Sequence, residues 1–214
     1  MIIYNPDGGQ VEMCGNGVRC AAKYMKSRKR ISGMNVSFET AGGGIDCRLE
    51  GSRVRVDMGK PRFEPKDIPV RADAPVIDGR INVAGRTRLA TCLSMGNPHC
   101  VIFVNDVKSY PVGKEGPDIE HDLKVFPKRT NVEFARVMGR GRIETRVWER
   151  GAGETLACGT GACAVGVAAA VTGRAGRKST VVLPGGELSI EWAPDHRVYM
   201  TGPAEEIFTG SIDI

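Results

Sequence analysis

A chain of 214 residues with 41% hydrophobic and 26% charged side chains has the make-up of a globular protein and excludes extended disorder. Its net charge of +5, from 30 basic and 25 acidic residues spread along the chain without an aromatic stripe, argues against nucleic acid as a partner. No apolar run approaches the roughly 18 residues that span a bilayer and no signal-peptide pattern is visible, so a cytoplasmic protein without membrane contacts is expected.

In chain order, "MIIYNPDGG" reads as a strand running into a turn. "EMCGNGVRC" follows, where Cys14 precedes a helix, "GNGVRCAAKYMKSRK", with Val18, Ala21, Ala22 and Met25 at the spacing of one face. The basic run "SRKRISG" suits the last turn of that helix, where cations complement the dipole. "SRVRVDMG" is a strand with Val54, Val56 and Met58 on one side, and the prolines of residues 59–69 suit a crossing between domains. "CVIFV" at 100–104 is expected to be buried on both faces, and "DIEHDLKVF" at 118–126 to form a short surface helix. "TNVEFARVM" places Val132, Phe134 and Ala135 or Val137 inward, while "RIETRVWE" sets Ile143, Thr145 and Val147 opposite Glu144, Arg146 and Trp148. These strands are expected to be antiparallel with one buried face. "GTGACAVGVAAAVTG" at 159–173 is a helix so uniformly small and apolar that it must be buried all round. "ELSIEW", "RVYMTG" and "EEIFTGSIDI" add strands at the end.

The Cys-Gly-polar-Gly figure therefore occurs twice, at Cys14 and Cys158, each time leading a helix. The first N–H groups of a helix lack internal partners and carry partial positive charge, which lowers the pKa of a thiol placed there and can hold a carboxylate. Two such motifs acting on opposite faces of one carbon would remove a proton and return one, inverting a stereocentre without metal or pyridoxal cofactor. The seven cysteines are odd in number and show no Cys-x-x-Cys spacing, so neither a disulfide framework nor a zinc site is favoured. Cys20, Cys47, Cys92, Cys100 and Cys163 lie inside alternating or helical patterns and read as small core hydrophobes.

"NPDGGQVEMCGNGVRCAAKY", "GNPHCVIF", "TNVEF" and "ERGAGETLACGTGACA", in this order, closely resemble the diaminopimelate epimerase family. That family interconverts LL- and meso-diaminopimelate, without a cofactor, on the route to lysine and peptidoglycan. The resemblance implies an α/β fold of α+β type: two pseudo-symmetric domains, each a curled, mostly antiparallel sheet around a central helix, with the site in the cleft between them. Residues 1–60 with 203–214 would form the first domain and 61–202 the second. Cys14 and Cys158 match the catalytic cysteines, and Gly15, Asn16, Gly159 and Thr160 the groups that bind the reacting carboxylate. Asn5, Asn97, Asn131, Glu149 and Arg150 match residues that recognise the rest of the substrate, and His99 and Glu149 stand near the thiols. Read alone, outside these motifs, His99 reads rather as a cap or brace of a loop, and Glu149 and Arg150 as a solvated strand end. The resemblance is also compatible with a homodimer, and two facing thiols of low pKa would be prone to oxidise to a disulfide, so activity is expected to depend on reductant.

Family members begin several tens of residues earlier, with a first strand and a Gly-Asn-Asp type turn. Either the polypeptide as it stands is therefore expected to have impaired stability and activity, or Met1 is expected not to be the true start. Two other readings remain. A proline or hydroxyproline racemase-type enzyme shares the two-thiol logic, but carries His in place of Asn16 and an Asp-Arg-Ser-Pro lead to the second cysteine. A catalytically inactive relative serving as a binding module is the other.

Overall fold

Glycine turns and alternating side chains build the first part of the molecule. A computed structural model describes every residue except 5–7, 9, 12, 13, 140 and 212–214. It divides into two units, Met1–Asp57 with Thr201–Ile214, and Met58–Met200. In the first unit a short pair, β1 (Ile3–Tyr4) and β2 (Gln10–Val11), precedes α1 (Gly15–Ser27). An antiparallel meander follows, β3 (Asn35–Thr40), β4 (Gly43–Glu50) and β5 (Arg53–Asp57). Gly51, at φ +63° between β4 and β5, occupies the left-handed region that glycine enters without steric cost. The register pairs Cys47 with Val56 and Leu49 with Val54, and these buried side chains meet Val18 and Ala22 on the face of α1 that packs against β4 and β5.

Helical phase corrects one expectation here. The buried face of α1 is Gly15, Val18, Arg19 and Ala22, which leaves Ala21 and Met25 half-buried and Cys20 exposed rather than in the core. Arg19 turns its guanidinium to carbonyls, donating from Nε to Pro203 O at 3.2 Å and from Nη1 to Gly15 O at 3.3 Å. The returning end of the chain is held to the first turn of α1 by this side chain.

The second unit contains β6 (Gly79–Val83), β7 (Arg86–Ser94), β8 (Pro98–Phe103), α2 (Val112–Glu120), β9 (Asn131–Gly139), β10 (Arg142–Glu149), β11 (Gly153–Thr155), α3 (Gly159–Val171), β12 (Lys178–Leu183) and β13 (Gly186–Trp192). The chain leaves it along β14 (Val198–Pro203). The strands neighbour one another in the order β6-β7-β8-β9-β10-β12-β13, with β11 pairing the end of β10. Two of these pairings, β8 with β9 and β10 with β12, are parallel, which the antiparallel expectation did not include. Parallel neighbours need long connections, and α2 and α3 lie within them. As expected, β8 is buried on both faces, and so is the first half of β9, from Asn131 to Ala135.

α3 is buried on all sides except at a few positions and packs against β8, β9, β10, β12 and β13. Its small residues let the strands come close: a β-carbon on Gly166 would stand 2.8 Å from Ile190 Cγ2. α2 lies earlier than expected, ending at Glu120 instead of running through 118–126. Val112, Glu115, Gly116 and Ile119 form its buried i, i+3, i+4, i+7 face, and Gly113, Gly116 and Pro117 disguise the pattern as a loop. After β14, residues 204–211 have no regular structure, so the strand expected in "EEIFTGSIDI" is absent from its described part; Ile207 and Phe208 are 83% and 84% exposed. No described helix is long and apolar enough to cross a membrane.

The buried thiols give the fold a pH dependence. Burial, with Asp46 adding repulsion, pushes the Cys47 thiol up to about 12. A hydrogen bond with Cys92 and full burial push Cys100 up as well. A thiol in the unfolded chain ionises near about pH 8.5. The raised folded values mean that the native state holds protons the unfolded state releases, so this stabilisation is complete below about pH 8.5 and is lost as pH rises toward 12. The urea midpoint is expected to fall steadily across that window, and Cys47→Val to flatten part of the fall. A midpoint constant over the same range would contradict the assignment.

Candidate active site

Cys14 caps α1 with extended backbone (φ −134°, ψ 110°), and its sulfur accepts the Gly17 N–H at 3.4 Å. Gly15 is buried behind it and Asn16 is half-buried. Asn5 lies outside the described residues. A β-carbon on Gly17 would stand 3.6 Å from the sulfur, an ordinary contact, so this glycine leaves open space beside the thiol without relieving a clash.

Cys158 caps α3 with nearly the same backbone (φ −121°, ψ 115°) but in a closer setting, only 5% exposed. Its sulfur is 3.5 Å from Thr160 Oγ1. A β-carbon on Gly161 would fall 3.0 Å from Glu133 Oε1 and 3.3 Å from the sulfur, so glycine is what allows the carboxyl to approach the helix end. This surrounding reverses the expected pKa shift. Burial, then the charges of Glu149 and Glu133, push the Cys158 thiol well above its ordinary value, and the Thr160 hydroxyl and Gly161 N–H offset this only in part. A helix terminus stabilises a thiolate effectively where solvent and cations assist it, and Cys158 has carboxylates as neighbours instead.

The strands beneath α3 bring several anticipated residues together. Asn97 Nδ2 donates to Thr160 Oγ1 at 3.2 Å, and Asn97 Oδ1 lies 2.9 Å from His99 Nε2. His99 Nδ1 is 2.7 Å from Glu133 Oε1, and both side chains are fully buried. Asn131, on the parallel neighbour strand, donates from Nδ2 to Pro98 O at 2.7 Å and accepts the Arg150 N–H at 2.9 Å. It thus ties the start of β8 to the turn that carries Arg150, whose guanidinium is exposed and donates to Lys128 O at 3.2 Å. Glu149 accepts a hydrogen bond from Thr155.

Two carboxyls that sequence reasoning passed over organise this region. Glu133 lies in "TNVEF", where a charge inside a run that is otherwise buried was the available signal. Glu120, at the end of α2, accepts the Gly151 N–H at 2.9 Å, the Trp148 Nε1–H at 2.7 Å and the Arg129 guanidinium at 3.2 Å. It holds the turn after Glu149 from below.

Residues 1–64 and 91–207 match the family model described as diaminopimelate epimerase. The chain belongs to the diaminopimelate epimerase family. It is 54% identical to the diaminopimelate epimerase of Moorella thermoacetica, covering 100% of this chain and 79% of that protein. The Synechocystis diaminopimelate epimerase is 49% identical, with 100% and 78% covered. Solved structures share the fold at much lower identity. A hydroxyproline epimerase from Agrobacterium vitis superposes with a TM-score of 0.68 at 16% identity, covering 94% of this chain and 67% of that one. A Bacillus anthracis phenazine biosynthesis protein of the PhzF family gives 0.65 at 13%, covering 94% and 76%. The α/β fold of this diaminopimelate epimerase family member is thus common to several chemistries, and its sequence similarity to named diaminopimelate epimerases does not favour the racemase-type alternative.

Proposed function

We propose that this chain is an isomerase that inverts one α-carbon of LL-diaminopimelate to give meso-diaminopimelate, with Cys14 and Cys158 as its two acid–base groups. The observation that carries the reading is the pair of N-cap cysteines, each followed by Gly-polar-Gly and a helix, in a member of this family. Cys14 as thiolate takes the α-proton; the C–H electron pair moves into the adjacent carboxylate. Cys158 as thiol then gives its proton to the opposite face, and the two sulfurs end with exchanged protonation. The raised Cys158 thiol suits the donor in this direction. Each helix N-terminus opposes the negative charge that develops on the carboxylate, so the charge is stabilised most in the transition state.

In this reading Gly15, Asn16, Gly159 and Thr160 hold the reacting carboxylate. Asn5, Asn97, Asn131, Glu149 and Arg150 recognise the distal ammonium and carboxylate, the exposed Arg150 guanidinium being suited to a bidentate clamp. His99 and Glu149 support proton balance at the thiols. A cytoplasmic homodimer working in lysine biosynthesis completes the proposal, on the family resemblance. The test is to incubate the reduced protein with LL-diaminopimelate in deuterium oxide. Deuterium is expected at the α-carbon together with the meso product, and its absence would refute the reading.

A further inference from the structure

Glu133 is a carboxyl that stability alone does not explain. It is fully buried near the start of β9, its Oε2 has no hydrogen-bond partner among the described residues, and replacing buried charge by apolar side chains is often neutral or stabilising. Its Oε1 meets His99 Nδ1, and from there hydrogen bonds lead to the sulfur through Asn97 and Thr160.

Each link in this run has a direction. Asn97 Oδ1 can only accept, so His99 Nε2 carries a hydrogen; Asn97 Nδ2 can only donate, so Thr160 Oγ1 accepts from it and turns its own hydrogen toward Cys158. With hydrogen on Nε2, one further proton lies between Nδ1 and Glu133 Oε1, and the pair is neutral overall on whichever atom that proton rests.

We propose that Glu133 is a positioning residue: bonded to His99 Nδ1, it holds the ring with hydrogen on Nε2 and so directs the hydrogen bonds of Asn97 and Thr160 toward the Cys158 sulfur. The opposite tautomer would need hydrogen on Nδ1, would reverse Asn97, and would draw the Thr160 hydrogen away from the sulfur. Burial raises the Glu133 carboxyl, which His99 offsets in part and Glu149 reinforces, and with the shared proton on either partner Nε2 keeps its hydrogen. The titratable and polar groups that bear on Cys158 are Glu133 from β9, Glu149 from β10, and the Thr160 hydroxyl and Gly161 N–H from α3. The proposal rests on Cys158 being an acid–base group, but its test does not require turnover.

The measurement is the pH dependence of Cys158 alkylation by iodoacetamide in the full chain, resolved by peptide mass spectrometry. Glu133→Met is expected to shift the profile upward and slow alkylation at neutral pH roughly three- to tenfold, the size of a half to one pK unit. Glu133→Gln, whose amide can donate to Nδ1, should stay within about twofold, as expected if the bond and not the charge matters. In a Thr160→Val background the Glu133→Met effect should vanish, because the last link is already gone. Equal effects of Glu133→Met and Glu133→Gln, or a Glu133→Met effect undiminished in the Thr160→Val background, would overturn the proposal. Should Glu133→Met fail to fold, nitrogen-15 spectra of the wild-type histidines decide the matter: hydrogen on His99 Nε2 supports it, and hydrogen on Nδ1 alone refutes it. Failure of the deuterium-exchange test leaves these readouts intact, so the two ideas fail separately.

Discussion

Cys158→Ser is expected to lower the epimerisation rate by about 10²- to 10⁴-fold, the range of a lost acid–base group. Serine keeps the shape of the side chain and can still bond Thr160 Oγ1, which the sulfur approaches at 3.5 Å, so the helix end should remain as it is. What changes is acidity. A hydroxyl cannot serve as the proton donor at neutral pH, nor be the base in the reverse direction. KM should therefore move little while kcat falls, the pattern of an interaction made only on the way to the transition state. Cys14→Ser should show a loss of the same order, and the double variant should be scarcely worse than either single one, because the two groups act as a unit. Steady-state rates in both directions check this, and a Cys158→Ser enzyme retaining even a tenth of the wild-type rate would remove Cys158 from the mechanism.

Gly116→Ala is expected to have the largest effect on stability. A β-carbon there would meet Trp148 Cγ at 2.5 Å and Trp148 Cβ at 2.6 Å, and the Cβ is fixed to the backbone, so no rotamer change can withdraw it. α2 must shift away from β10 instead, at a cost of about 1–3 kcal/mol for overpacking, offset in part by the roughly 1 kcal/mol that alanine gains over glycine inside a helix. The shift would also disturb the Trp148 Nε1–H bond to Glu120, and with it the Gly151 N–H that Glu120 anchors. Both a lower urea midpoint and a raised KM are expected, since the Gly151 turn carries Glu149 and Arg150. An unchanged midpoint would mean that the helix does not pack on Trp148 as described.

The thiol-bearing helix ends were legible because their signal is local: Gly-polar-Gly after cysteine, then small apolar residues, already implies a cap and a buried helix. α3 followed from composition alone. Strand partnership was not legible, because the side chains of β8 and β10 are equally suited to parallel and antiparallel neighbours, and the choice depends on connections many residues away. Cys20 misled because a helical face is defined by phase, and the stripe through Val18 and Ala22 leaves residue 20 on the outer side. α2 was displaced toward Asp118 because Gly116 and Pro117 read as breakers, whereas Gly116 is there to admit Trp148. Around Cys158 the local motif announced a reactive thiol but not its acidity, which depends on Glu133 and Glu149 from separate strands.

α3 presents no polar stripe to water, and this makes it a mechanical part as well as a support. A helix with one wet side can roll or slide slightly, exchanging contacts as it goes, but one enclosed by strands has nowhere to yield. Gly166, closed in by Ile190, lies about 8 Å of helix rise from Gly161. Any wedge driven in at that far contact would push the rod along its axis and carry the sulfur at its tip out of register, so the chemistry proposed for Cys158 is exposed to damage from residues that never approach a substrate.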